Sequence, residues 1–85
     1  MKHAGTAALD QLEPLLAVIR TLPGLKEKGR GVFYRGGRAF LHFHEDPEGL
    51  FADARLVGSD FDRFRVETAE EWDIFLSRVA SKIAR

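Results

Sequence analysis

Two adjacent glycines, Gly36 and Gly37, separate two stretches of alternating side chains, VFYR (32–35) and RAFLHFHED (38–46). Paired glycines accept the positive φ angles of a two-residue hairpin turn. The chain must therefore double back here, and the turn sets the register of the strands on either side. It predicts Arg35 opposite Arg38, Tyr34 opposite Ala39, Phe33 opposite Phe40 and Val32 opposite Leu41. A second turn cluster, EDPEG (45–49), returns the chain as LFADARLV (50–57). With that loop at residues 46–49, Glu45 faces Leu50, His44 faces Phe51, Phe43 faces Ala52 and His42 faces Asp53. A third turn, GSDFD (58–62), leads into a short fourth strand, RFRVE (63–67).

Helical periodicity flanks this hairpin region. Leu9, Leu12, Leu15, Leu16, Ile19 and Leu22 recur at helical spacing and Pro23-Gly24 ends the run. Asp10 with Glu13 reads as a capping box, which starts the helix at Asp10 and leaves Pro14 in its first turn. The segment LKEKGRG (25–31) reads as a polar connection. Thr68 with Glu71 is a second capping box, followed by the stripe Trp72, Phe75, Leu76, Val79 and Ile83. The element order α-β-β-β-β-α predicts an α+β two-layer sandwich: an antiparallel four-stranded meander with two helices packed on one face. The 85 residues are expected to form one domain, with residues 1–6 flexible and His3 a mobile terminal residue.

Strand alternation sorts the side chains into two faces. Val32, Tyr34, Ala39, Leu41, Phe43, Leu50, Ala52, Ala54 and Leu56 fall on the apolar face, the expected core. The other face collects Phe33, Arg35, Arg38, Phe40, His42, His44, Phe51, Asp53 and Arg55, joined by Arg63 and Arg65. Three phenylalanines among five arginines is more than a solvated face requires. Aromatic residues and arginine are what interfaces enrich, so the expectation is a non-catalytic interaction module that self-associates as a homodimer through this face. The alternative is a module that binds a small anion or nucleic acid with the same residues. Thirteen basic and thirteen acidic residues leave zero net charge, which weighs against a dedicated non-specific nucleic-acid binder.

His42 and His44 lie on one face of a strand, about 7 Å apart. With Asp53 opposite His42 they make a second alternative, a His-His-carboxylate metal site. The plain reading is two exposed histidines, one hydrogen-bonded to Asp53, whose carboxylate would raise the imidazole pKa. No cofactor and no bound metal are expected. Absence of cysteine excludes disulfides, thiol catalysis and cysteine-ligated metals. No serine sits in a nucleophile elbow, no glycine-rich phosphate loop has strand-to-helix context, and the acidic turn residues do not follow the EF-hand pattern. An enzyme is therefore not expected. No apolar run reaches the roughly 20 residues that span a bilayer and no signal-peptide pattern opens the chain, so no membrane and a cytoplasmic location are expected.

The hairpin GVFYRGGRAFLHFHED followed by GLFADARL resembles small bacterial α+β families. The N-terminal domain of TfoX-like competence proteins has a similar glycine-rich hairpin. MmcQ/YjbR-like proteins are similar in size and element order. The short luciferase-like domain carries a return strand echoed by Gly37, Arg38, Phe40, His42 and His44. The resemblance covers residues 31–57. It implies the same α+β fold, and the MmcQ/YjbR likeness implies DNA as a ligand to consider.

Overall fold

The computed structural model describes residues 1–84. The elements follow in the order β1 (Lys2–His3), α1 (Thr6–Ile19), β2 (Lys26–Gly29), β3 (Val32–Arg35), β4 (Arg38–Asp46), β5 (Gly49–Ala54), β6 (Asp62–Arg65) and α2 (Ala69–Ile83). It is an α+β fold with one antiparallel sheet in the order β2-β3-β4-β5-β6, and β1 pairs with β4. The sheet has six strands where four were expected. The additional two are β1 and β2, short edge segments whose polar sequences carry no alternation to read.

Leu12, Leu15, Leu16 and Ile19 of α1 and Phe75 and Val79 of α2 are buried in a single cluster with Leu41, Phe43, Ala52 and Ala54 of the sheet. Both helices thus cover one sheet face. At α2, Thr68 and Glu71 form the expected capping box, and the Trp72 indole N–H donates to the Val66 carbonyl at 2.8 Å.

The first helix starts earlier than Asp10. Gly5 is its N-cap, and the Gly5 N–H donates to the Glu45 carboxylate at 2.6 Å. Pro14 consequently lies inside the helix rather than in its first turn. Instead of capping, Asp10 and Glu13 both accept from Arg30, while Arg20 bridges Glu13 and Glu27. Long-range partners therefore moved this boundary. Residues 2 and 3, expected to lie outside the folded body, are hydrogen-bonded to β4, with Lys2 opposite Glu45 and His3 opposite His44.

The β4–β5 register is as expected, with His42 opposite Asp53, His44 opposite Phe51 and Glu45 opposite Leu50. The β3–β4 register changes halfway. Arg35 faces Arg38 and Tyr34 faces Ala39, but Phe33 faces Leu41, so Phe40 is an extra residue in a β-bulge. Phe33 and Phe40 were both expected on the open face. The bulge sends both into the core, where they are 0% and 4% exposed. Burying each phenylalanine is worth roughly 1.5–3 kcal/mol, against about 1 kcal/mol for a disturbed ladder hydrogen bond. Hydrophobic burial thus outweighs a regular ladder.

Candidate functional site: a histidine cluster on the open face

The bulge divides the expected surface. Of the nine hairpin and β5 residues expected on the open face, His42, His44, Phe51 and Asp53 stay on it, together with Arg63 and Arg65 from β6. Alternation from buried Phe33 turns Arg35, and with it Arg38, toward the helix side. There both line a cavity with Lys82 of α2 and Arg55. With Phe33 and Phe40 buried, the open face loses two of the three phenylalanines on which the self-association expectation rested.

The open face gains a residue that sequence reasoning missed. Pairing of β1 with β4 sets His3 directly against His44. The two rings stack with centroids 4.7 Å apart, and His42 stands edge-on to His44 at 4.9 Å. One ligand nitrogen from each of His3, His42 and His44 falls within 4.8 Å of the others. A two-residue strand shows no periodicity, so no sequence signal could have joined His3 to the HFH tripeptide. Phe61, from the turn before β6, closes one side of the cluster against His42 at 4.6 Å.

Asp53 lies beneath the rings, 5% exposed. The Arg63 guanidinium donates two hydrogen bonds to it, each 2.8 Å, and its Oδ2 is 3.3 Å from His44 Nε2. The carboxylate thus meets His44 rather than its cross-strand partner His42. Burial penalises the charged form of Asp53, but the Arg63 hydrogen bonds and charge and the neighbouring imidazoles outweigh it, leaving the pKa below the ordinary carboxylate value. For His42, burial and then the charge of His44 push the pKa below its ordinary value despite Asp53. Burial does the same for His44, against the pull of Asp53. The expected carboxylate-driven rise is overturned, because the imidazoles crowd one another out of water.

The lowered pKa values favour the neutral imidazole, the ligating form, at His42 and His44. Their facing nitrogens, His44 Nε2 and His42 Nδ1, are 3.0 Å apart. His44 Nδ1 is buried and makes no hydrogen bond of normal geometry, although the Lys2 backbone lies close enough to the ring to favour its protonated form. Since Arg63 balances Asp53, the cluster offers three imidazole nitrogens, one short of a tetrahedral set.

No protein-family model, curated protein or solved structure matches the chain. The likeness over residues 31–57 thus stands as a resemblance, and the site is read from its own geometry. Among the described residues, no helix is long and apolar enough to cross a membrane.

The depressed imidazole pKa values make stability depend on pH. The unfolded chain takes up protons near the ordinary histidine value of about 6.5, whereas folded His42 and His44 resist them. Their neutral state is compatible with the fold above that value, and stability is lost as pH falls through it toward the lower folded values. Melting temperatures measured with chelator present should fall between pH 7.5 and 5.5, less steeply in His42→Gln. Midpoints that rise on acidification would show the opposite shift.

Proposed function

We propose that the chain is a binding module for a divalent transition metal, with His3, His42 and His44 as ligands. The reading rests on three ligand nitrogens within 4.8 Å of one another, drawn from β1 and β4, strands set side by side by pairing. Imidazole sets of this kind suit zinc, copper and nickel. Asp53, held in place by Arg63, contacts His44 at Nε2, so it would orient that imidazole with the other ring nitrogen, Nδ1, turned to the metal.

Isothermal titration with zinc chloride at pH 7.5 tests it. One equivalent should bind, and the melting temperature should rise with free zinc by mass action, by about 2.7 kcal/mol of stability at a hundredfold excess over Kd. His42→Ala and His3→Ala should each weaken binding at least tenfold. Affinity should also fall toward pH 5.5 as imidazoles protonate. Absence of saturable binding in the parent chain, or stoichiometric binding unchanged in both variants, would sink the reading.

A further inference from the structure

A second cluster of charge sits at the other side of the β3–β4 bulge. Arg35 of β3, Arg38 of β4, Arg55 beyond β5 and Lys82 in the last turn of α2 line a cavity of about 360 Å³ whose apolar wall includes Phe40. That volume falls at the lower end of small-molecule sites. Among the described residues, no carboxylate lines the cavity. Among the described residues, none of these four cations forms an ion pair, whereas Arg20, Arg30, Arg63 and Arg65 each meet a carboxylate.

The arrangement carries a cost that a ligand would offset. Arg35 and Arg38 are direct cross-strand partners, and like charges placed so destabilise a sheet. Arg55 is fixed by donating Nε–H to the Ala39 carbonyl at 2.7 Å and a second N–H to the Ser59 carbonyl, with its guanidinium stacked 4.2 Å over Phe61. Arg35 lies 5.8 Å over the Phe40 ring. Two guanidinium groups are thus oriented by neutral partners that leave their charge uncancelled. The nearby C-terminus of α2 contributes about half a negative charge, against four full positive ones.

We propose that this cavity binds a small phosphate-bearing anion, with Arg35, Arg38, Arg55 and Lys82 as its charge partners. Guanidinium groups recognise phosphate oxygens in bidentate fashion. Four cations around one half-open cavity suit a compact anion better than an extended strand. The cavity shares no lining residue with the histidine cluster, although Phe61 touches both Arg55 and His42, and the proposal does not depend on the metal reading.

Inorganic pyrophosphate is the probe, titrated calorimetrically at 150 mM sodium chloride with chelator present. One saturable site is expected. Arg38→Ala should weaken it at least tenfold and Lys82→Ala at least threefold. Lys26→Ala, whose side chain lies outside the cavity, should leave it unchanged. Melting curves of each variant check folding. No saturable binding by the parent chain, equal losses in Lys26→Ala, or binding of single-stranded DNA without binding of pyrophosphate would each overturn the proposal.

Discussion

Phe75→Ala should lower the unfolding free energy by about 3–5 kcal/mol. Phe75 is fully buried and joins the two layers, with its ring centroid 5.2 Å from Phe64 and 6.3 Å from Phe43. Truncation removes its transfer energy and leaves a cavity between α2 and the sheet. A domain of this length holds roughly 4–13 kcal/mol in total, so the variant should be marginally folded or unfolded. Its neighbour Ile74 is 53% exposed, and Ile74→Ala should change stability by about 0.5 kcal/mol or less. Urea unfolding followed by Trp72 fluorescence measures both. Similar costs for the two variants would mean that α2 does not present Phe75 to the sheet.

Gly31→Ala is the second change expected to have a large effect. Gly31 precedes β3 with φ of +78°, where an alanine costs roughly 1–2 kcal/mol. A methyl group there would also come within 2.8 Å of Leu9 Cδ2 and 3.6 Å of Phe43 Cδ1, an overpacking cost of about 1–3 kcal/mol. Gly24 separates the two contributions. Its φ is +81°, with nothing within 4 Å of an added methyl, so Gly24→Ala should show the backbone cost alone. If the two variants lose the same stability, the close approach of α1 to the start of β3 is not real. Gly31 is thus needed for conformation and for clearance, since here the helix and sheet layers touch.

The two charge clusters separate in the same way. The metal reading stands or falls with zinc and the histidine variants, and the anion reading with pyrophosphate and the variants of Arg38 and Lys82. The shared element is the bulge at Phe40. It leaves His42 and His44 on the open face and turns Arg35 and Arg38 toward the helices, so the histidines and these arginines fall into two clusters instead of one mixed surface.

Much of the architecture was legible from local signals. The Gly36-Gly37 turn takes positive φ at both positions, and the pairs Arg35–Arg38 and Tyr34–Ala39 follow from it. The β4–β5 register, the capping box at Thr68 and Glu71 and the buried stripe of α2 are likewise local, because turn geometry and helix periodicity act between near neighbours in sequence. Tertiary structure alone decided the rest. The bulge arises because two phenylalanines gain more from the core than the ladder loses, a balance set by helices distant in the chain. Helix α1 begins at Thr6 because Glu45 receives the Gly5 N–H from forty residues away. His3 joins His42 and His44 only because β4 runs past the end of β3 and leaves an edge for β1 to pair with. Each depends on contacts between segments far apart in sequence, and no short-range pattern encodes those.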